Sequence, residues 1–247
     1  MDEQYPVLKG AEPYYAEGGK KGILVSHGFT GSTQSMRPLA EALSEAGYTV
    51  CLPRLKGHGT HYEDMERTSR HDWVDSVEEG YRWLKERCDT IYMAGLSMGG
   101  TLTLYMAERH PDIRAIALIN AAIDMPALKE VGDPEEIRFL DAIGSDIKKP
   151  DVTELAYEKT PVKSVKEILA LMEEVRTSLS DVKCPALILV SEEDHVVPPD
   201  NSEIISKEIS SAEKETVRLE ESYHVATLDN DQQKIIDHII RFFKKYS

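Results

Sequence analysis

One serine in this sequence has the neighbours of a catalytic nucleophile. Ser97 lies in the pattern Gly-x-Ser-x-Gly (GLSMG, 95–99), between the apolar run TIYMAG and a helix-like stretch that begins at Met98. A serine on a sharp strand-to-helix turn projects its oxygen clear of the backbone, and flanking glycines permit the strained turn. The following helix also points its positive N-terminus at that site. We therefore predict that Ser97 attacks an acyl carbonyl; a polar residue in a tight turn is the alternative.

A serine nucleophile needs a base, and the base needs a carboxylate that orients it. The chain has eight histidines, and in the order serine, acid, histidine only His195, His224 and His238 follow a plausible acid. His224 lies between the last strand-like run and the last helix-like run. We predict that His224 is the base, with a loop histidine satisfied by local hydrogen bonds as the alternative.

The candidate acids lie after another predicted buried strand. The segment SEEDHVVPP offers Glu192, Glu193 and Asp194 directly after the apolar run ALILVS. Asp194 lies where the turn begins, and Val-Val-Pro-Pro then favours an extended exit. We predict Asp194, followed by Glu193, whereas Asp124 is the topological alternative. Asp229 is expected to cap the last helix.

The fourth requirement is a pair of backbone N–H groups for the oxyanion of the tetrahedral intermediate. Met98, the residue after the nucleophile, is the first predicted donor, and Phe29 in the loop HGFTG (27–31) is the second. An ordinary glycine-rich turn is the alternative for that loop. His58 and His61 have a spacing that could bind a metal, but no nearby cysteine or carboxylate set completes a site. No metal and no cofactor are expected.

These residues must be positioned by strands and helices that alternate along the chain. Continuous apolar runs predict strands at 22–26, 48–52, 90–95, 113–120, 186–191 and 215–219. Helices are predicted between and after them, at 35–46, 70–87, 98–109, 200–209 and 230–246. The alternation predicts an α/β fold with a mostly parallel central sheet, because parallel neighbours need crossover connections. Ligands bind beyond the carboxyl ends of such strands, where the candidate residues lie.

Residues 121–180 interrupt the alternation of strands and helices. They separate two strand-like runs by far more residues than a crossover needs, and they contain the helix-like pieces PEEIRFLDAI and VKEILALMEEV. A cap over the strand ends is the favoured interpretation, and a surface excursion is the alternative. No composition break indicates a second unit, so residues 1–247 are predicted to form a single domain that contains this insertion.

Composition narrows the class of partner. The net charge of −15, from 44 acidic and 29 basic residues, argues against nucleic acid and against electrostatic attachment to anionic membranes. The beginning of the sequence lacks the pattern of a signal peptide, and no apolar run is long enough to predict a membrane span. The three cysteines are scattered and odd in number. A cytoplasmic location is therefore expected.

Five motifs, in their order and spacing, resemble the α/β-hydrolase superfamily: HGFTG, LKGHGTH, GLSMGG, SEEDHVVPP and SYHVATLD. The sequence is more closely similar to bacillus-type monoacylglycerol lipases and related carboxylesterases, over nearly the whole chain. The resemblance implies the α/β-hydrolase fold, with a small helical cap inserted after the sixth core strand. It also implies Ser97, Asp194 and His224 as the catalytic triad and Phe29 and Met98 as oxyanion donors.

The resemblance implies a small lipid ester as substrate, bound in an apolar acyl tunnel under the cap. Asn120 and Glu154 are candidates for the polar end of the site, and Ile143 for a wall on the glycerol side. A strand-end Asn and a solvated Glu are their structural alternatives. Hydrolysis of monoacylglycerols is the first hypothesis, general carboxylesterase activity is the second, and a non-catalytic binding module is the third. Transient contact of the cap with a membrane is compatible with each enzyme, and no oligomeric state is predicted.

Overall fold

The computed structural model of the protein describes residues 2–131 and 136–247. The strands of the described residues are β1 (Tyr14–Ala16), β2 (Lys21–Ser26), β3 (Thr49–Leu52), β4 (Thr90–Leu96), β5 (Ile113–Ile119), β6 (Phe139–Asp141), β7 (Lys159–Pro161), β8 (Ala186–Ser191) and β9 (Lys214–Leu219). Seven of them form one sheet in the order β1-β3-β2-β4-β5-β8-β9. All neighbours in this sheet are parallel except β1 and β3. The mostly parallel sheet is therefore confirmed.

The six strands predicted from apolar runs are all present, each to within one residue at either end. The sheet also contains β1, which the sequence analysis did not predict. β1 has only three residues and a partly exposed pattern, so it lacks the apolar run that marks the other strands. It pairs antiparallel with β3 at the edge of the sheet, where exposed side chains are tolerated.

The sheet strands are apolar on both faces because helices cover both faces. In β2, Ile23 and Val25 join one hydrophobic cluster, whereas Leu24 between them joins the other. The helices of the described residues are α1 (Arg37–Glu45), α2 (Tyr62–Glu66), α3 (Arg70–Lys85), α4 (Met98–Arg109), α5 (Pro126–Lys129), α6 (Val162–Ser178), α7 (Asp200–Glu208) and α8 (Gln232–Lys245). Side chains of α1 and α8 belong to the first cluster, and those of α3, α4, α6 and α7 to the second.

The five helices predicted between the strands are confirmed, with small differences at their ends. The predicted helix at 35–46 begins at Arg37, after a single 3-10 turn, Thr33–Ser35. The short helix α2 lies in a region for which no helix was predicted. In the described ranges, none of the helices has the length and apolar character that crossing a bilayer would need.

The insertion, residues 121–180, differs from the predicted helical cap. VKEILALMEEV is helical, as predicted, within α6. In PEEIRFLDAI, Pro134 and Glu135 lie outside the described residues, and Phe139–Asp141 forms a strand that pairs antiparallel with β7. The helix prediction was wrong there because the partner strand lies about twenty residues further along the chain. The insertion is thus part helix and part hairpin, and it follows β5, the fifth strand of the sheet along the chain, rather than a sixth.

Candidate active site

The Gly-x-Ser-x-Gly motif forms a tight turn between β4 and α4. Ser97 has φ 57° and ψ −121°, a conformation that costs a non-glycine residue about 1–3 kcal/mol. Its N–H donates to the Ile119 carbonyl at 2.9 Å, which ties the turn to β5. A Cβ at Gly95 would collide with the Gly99 carbonyl, and one at Gly99 with the Ser26 carbonyl. Both flanking positions therefore require glycine, and the close approach of α4 to the sheet holds Ser97 in its strained conformation.

Asp194 and His224 are brought together at the carboxyl end of the sheet. Asp194 follows β8 and His224 follows β9, the neighbouring parallel strand. The Asp194 Oδ2 atom lies 2.8 Å from His224 Nδ1, and the two side chains are 2% and 8% exposed. The other carboxylate oxygen of Asp194 accepts from the N–H groups of Val196 and Val197 at 2.9 and 2.8 Å. The carboxylate is therefore fixed on one side and free to accept a hydrogen bond from the imidazole N–H on the other.

The alternatives that the sequence left open have other partners. Asp124 forms ion pairs with Lys129 at 2.6 Å and with Arg176 at 3.1 Å, within and beside the insertion. Glu193 lies 3.5 Å from His195, which is half exposed. His238 lies in α8 and contacts Glu215 at 3.6 Å.

The two predicted oxyanion donors lie just beyond the ends of β2 and β4. Met98 is the first residue of α4, so its N–H has no partner within the helix. Phe29 lies in the loop after β2, and Gly28 beside it would place a Cβ 3.3 Å from the Ser97 Cβ. Neither N–H donates a hydrogen bond to another described residue. Two unpartnered N–H groups near one serine are the arrangement that a developing oxyanion requires.

A cavity of about 130 Å³ lies between these loops and the insertion. Ser97 and His224 both border it, although within the described residues no hydrogen bond joins the Ser97 hydroxyl to the imidazole. Nucleophile–base contacts of this kind are often loose when no substrate is bound. Most of the remaining wall is apolar and includes Phe29, Met125, Leu140, Val165, Ile168 and Val196. The cavity is therefore bordered by the candidate nucleophile and base, and its apolar wall is suited to a hydrocarbon chain.

Two of the three predicted substrate residues border this cavity. Ile143 lies at its edge and is 68% exposed. The Glu154 carboxyl group packs against Gly31 of the HGFTG loop. Desolvation raises the pKa of Glu154, although the positive charge of a protonated His224 and the Ser35 hydroxyl act in the opposite direction. The carboxyl group of Glu154 thus has a pKa raised by its burial under the insertion.

Asn120 does not reach the cavity. Its Oδ1 accepts from the Ser191 N–H at 2.8 Å, and its Nδ2 donates to the Ser191 hydroxyl at 2.9 Å and to the His224 carbonyl at 2.8 Å. Asn120 also has φ 44°, a left-handed conformation that Asn tolerates better than most residues. The suggestion that it contacts substrate is therefore not supported, because its polar atoms hold the ends of β5 and β8 to the His224 loop.

Glu154 belongs to a segment of the insertion that touches the candidate site on both sides, and the contacts of that segment were not predicted. We call residues 144–157 the strap. The Tyr157 N–H donates to the Thr30 carbonyl at 3.1 Å, and its hydroxyl donates to the Gly57 carbonyl at 2.7 Å and accepts from the Thr60 N–H at 2.9 Å. The strap is thereby joined to the loop that carries Phe29. No local pattern in the sequence indicated these contacts.

Asp229 joins the strap to the loop that carries His224. Its two carboxylate oxygens accept from the N–H groups of Lys148 and Lys149 at 2.7 and 2.9 Å. One of them also accepts from the Tyr223 N–H at 2.9 Å. The prediction that Asp229 caps the last helix was wrong, because α8 begins three residues later, at Gln232, and its N-cap residue is Asp231.

The histidines of the HGFTG and LKGHGTH motifs make structural contacts. Burial lowers the pKa of His27 to about 4, and its ring contacts the Gly28 carbonyl and the Leu55 N–H at 3.0 and 3.2 Å. Burial also holds the pKa of His58 well below its usual value, and the nearby His27 acts in the same direction. His61 accepts from the Glu63 N–H at the start of α2. Across residues 2–131 and 136–247, no group of three or more His, Cys, Asp or Glu side chains is arranged to hold a metal ion.

The mostly parallel sheet with helices on both faces, the serine turn after β4 and the acid and histidine loops at the same edge define an α/β hydrolase. A family model described as "Serine aminopeptidase, S33" matches residues 19–143 and 145–231. The chain belongs to this family and is a hydrolase.

Two bacterial relatives that match the chain over nearly its whole length are a lipase and an esterase. The chain is 65% identical to the thermostable monoacylglycerol lipase of Bacillus sp. (strain H-257), with 100% of both chains covered. It is 30% identical to a carboxylesterase of Bacillus subtilis (strain 168), with 95% of this chain and 96% of the relative covered. A solved structure from work on LipS and LipT, two metagenome-derived lipolytic enzymes, has a TM-score of 0.95 at 50% identity and covers 97% of this chain and 100% of its own.

Proposed function

We propose that the protein is a serine hydrolase that cleaves monoacylglycerols into a free fatty acid and glycerol. The observation that carries the chemistry is the 2.8 Å Asp194–His224 pair, whose histidine borders the same apolar cavity as the strained Ser97 turn. The 65% identity to a monoacylglycerol lipase over the whole chain supports the choice of substrate.

The first half of the reaction forms an acyl-enzyme. Because Asp194 faces Nδ1 of His224, the proton is held on that nitrogen and Nε2 is left as the acceptor. Ser97 Oγ bonds to the ester carbonyl carbon while His224 takes the serine proton. The N–H groups of Phe29 and Met98 hold the resulting oxyanion. The ester C–O bond then breaks, and glycerol leaves with the proton from His224.

The second half releases the acid. A water molecule gives a proton to His224 and attacks the acyl carbon, the oxyanion is held by the same two donors, and Ser97 leaves with the proton. Asp194 remains ionised throughout and stabilises the imidazolium that forms twice per turnover.

The apolar walls favour an acyl chain as the larger part of the substrate. Each methylene group that moves from water into an apolar site contributes about 0.8 kcal/mol, a factor of about four in binding. We propose that residues 121–180 act as the cap of this site within a single domain. Glu154 and Ile143 are then the candidates for the glycerol end, since both border the cavity.

A general carboxylesterase is the second candidate, favoured by the Bacillus subtilis relative. The two functions share every catalytic step and differ in how the alcohol part and the number of acyl chains are recognised. A non-catalytic binding module is disfavoured, because an orienting carboxylate, a histidine and a strained serine would have no role in it.

An activity profile distinguishes these possibilities. Rates would be measured on 1-monoacylglycerol, diacylglycerol, triacylglycerol and a methyl ester, all with the same acyl chain. We expect the rate on monoacylglycerol to exceed the rate on di- and triacylglycerol by at least about tenfold. Equal rates on all four would contradict the proposed substrate. A serine-directed phosphonate should label the wild type and not Ser97→Ala; labelling of both would contradict the nucleophile.

The state of the three cysteines bears on the cellular setting. Cys51, Cys88 and Cys184 are free thiols, and burial raises the pKa of Cys51 to about 12. Unpaired buried thiols are typical of a reducing compartment, so we propose a cytoplasmic location. The partner proposed is a small lipid ester, with transient contact between the cap and a lipid surface when substrate is collected.

A further inference from the structure

The strap contributes one carboxylate that lies between the two loops of the candidate acid and base. Asp146 follows Gly144 by two residues, and its side chain is 11% exposed. The acid loop comes from the end of β8 and the base loop from the end of β9. Asp146 belongs to neither strand, so its place between them is determined by the insertion.

Asp146 binds the backbone of both loops at once. Its Oδ2 atom accepts from the N–H of His195, the residue after Asp194, and from the N–H of His224, each at 3.1 Å. Its Oδ1 atom lies 2.7 Å from His195 Nδ1. Its backbone carbonyl accepts from the Val225 N–H at 3.1 Å. One residue of the insertion therefore fixes the positions of a neighbour of the acid, of the base itself and of the residue that follows the base.

These contacts matter because the acid–base pair spans two loops. β8 and β9 are in register as far as Ser191 and Leu219, and beyond that point the sheet no longer fixes their separation. The 2.8 Å bond between Asp194 and His224 depends on both loops keeping their place. A displacement of about 1 Å in a catalytic group can cost on the order of a hundredfold in rate.

We propose that Asp146 is a positioning residue for the Asp194–His224 pair, so that the insertion is part of the catalytic framework and not only a cover. The inference rests on the proposed function, since it assigns Asp146 a role only through that pair. Asp146 acts on the backbone of the two loops, and the proton transfers remain with His224.

The decisive variant is Asp146→Asn, with Asp151→Asn as the matched control. Asparagine keeps the size of the side chain but replaces one acceptor oxygen by a donor group. Asp151 lies in the same strap, is exposed and has φ 60°, which asparagine also adopts, so its variant should behave as wild type. We expect Asp146→Asn to lower kcat about 10- to 100-fold with KM changed less than about twofold, because the loss falls on the transition state.

Two substrates and one spectroscopic signal separate positioning from substrate contact. The fractional loss of kcat should be the same for p-nitrophenyl acetate and for a long-chain monoacylglycerol. The proton NMR signal of the His224 Nδ1–H, bonded to Asp194, should broaden or shift in Asp146→Asn and stay unchanged in Asp151→Asn. A loss confined to the long-chain substrate, a change in KM alone or an unaltered proton signal would each overturn the proposal.

Amide exchange in the wild type gives a test that does not depend on a variant that folds. The amides of His195 and His224 should exchange with solvent much more slowly than the amides of exposed loops. Exchange as fast as in exposed loops would show that the hydrogen bonds from these amides to Asp146 are open in solution and would overturn the inference. An active Ser97→Ala variant would instead remove the proposed function itself. An inactive Ser97→Ala with fully active Asp146→Asn would remove only the role of Asp146.

Discussion

The Ser97 turn and the strap border the same cavity but are fixed by interactions of different range. The turn is held by its own neighbours: Gly95 and Gly99 permit the close approach of α4, and the Ser97 N–H bonds to the adjacent strand β5. The strap, residues 144–157, has no regular secondary structure. It is held by single side chains that lie far away in the sequence, such as Gln34 and Asp229.

The two regions therefore differ in how the fold holds them in place. Around the turn, the backbone of a packed sheet fixes the nucleophile, so the loss of one distant side chain should have little effect there. The strap depends on a few side-chain contacts, and the loss of one should loosen it locally. Because the strap touches both the Phe29 loop and the His224 loop, such loosening should still be detected in catalysis.

The largest loss of activity should result from a substitution in the Ser97 turn. Ser97→Ala removes the nucleophile, and we expect kcat to fall by roughly 10⁵–10⁶-fold, as in other serine triads. Steady-state kinetics on a monoacylglycerol would measure it, with the exposed Ser210→Ala as control. Since the fold does not depend on the hydroxyl, Ser97→Ala should unfold at or above the wild-type temperature. Turnover near that of the wild type would exclude Ser97 as the nucleophile.

Asn120 connects the sheet to the candidate base, because it binds the end of β8 and the His224 carbonyl at once. Asn120→Ala leaves the Ser191 N–H without its acceptor and places alanine at φ 44°. We expect a loss of about 2–4 kcal/mol in the free energy of unfolding, together with a lower kcat. Urea unfolding would measure the first quantity. The exposed Asn230→Ala should cost much less, and equal losses in the two variants would refute this role for Asn120.

Glu108 lies near the end of α4, outside both regions, and its ionisation predicts how the stability of the protein depends on pH. Its carboxyl group is buried, one oxygen has no partner among the described residues, and desolvation raises its pKa to about 7 despite its contact with Arg109 at 2.9 Å. The folded state therefore holds this proton more tightly than the unfolded state, whose pKa is near 4.5. Stability should fall as pH rises from about 4.5 and level off above about 7.

Glu108→Gln removes that ionisation. We expect the variant to be more stable than the wild type above pH 7, by up to roughly 3 kcal/mol, and similar to it below pH 4.5. Thermal unfolding across pH would measure the difference, with the exposed Glu208→Gln as control. Since Glu108 is not assigned to the site, kcat should not change. A pH-independent difference in stability would show that Glu108 does not titrate in this range.

The same contrast explains what could be predicted from the sequence. The strands appear as continuous apolar runs because helices cover both faces of the sheet, and that pattern is local. Ser97, Asp194 and His224 each lie within five residues of the end of such a run, so their meeting at one edge could be inferred from topology. Strand β1 has only three residues and no apolar run, and β6 depends on a partner about twenty residues away.

The predictions that failed concern side chains whose partners are distant in the sequence. Asn120 has the position of a ligand-binding residue, at the end of a central strand, but a neighbouring serine and the His224 carbonyl occupy its polar atoms. Asp229 resembles a helix cap, yet it binds the strap 80 residues away. Asp146 lies in a charged stretch without a motif. Only the folded chain brings these groups together.

The Tyr157 hydroxyl holds the strap on the side of Phe29, and its removal tests how much that attachment contributes to stability. Tyr157→Phe removes two hydrogen bonds of the hydroxyl, to the Gly57 carbonyl and from the Thr60 N–H. We expect a loss of about 1–2 kcal/mol in the free energy of unfolding. Tyr62→Phe is the matched control, because its ring lies 6.5 Å from that of Tyr157 and its hydroxyl makes no hydrogen bond within the described structure. Unchanged stability in Tyr157→Phe would mean that the strap is not anchored by this hydroxyl.

The smallest changes in stability and in KM should result from substitutions at the exposed edge of the insertion. Ile143 is 68% exposed and borders the cavity, whereas Ile137 is 44% exposed and does not. Replacing either by serine should change the free energy of unfolding by less than about 0.5 kcal/mol, because neither side chain is packed in the core. Ile143→Ser should raise KM for a monoacylglycerol several-fold but less than about tenfold, since a bound substrate can cover only part of this side chain. Ile137→Ser should leave KM unchanged. An equal rise in both variants would mean that the outer surface of the insertion, rather than the edge of the cavity, governs how substrate is collected.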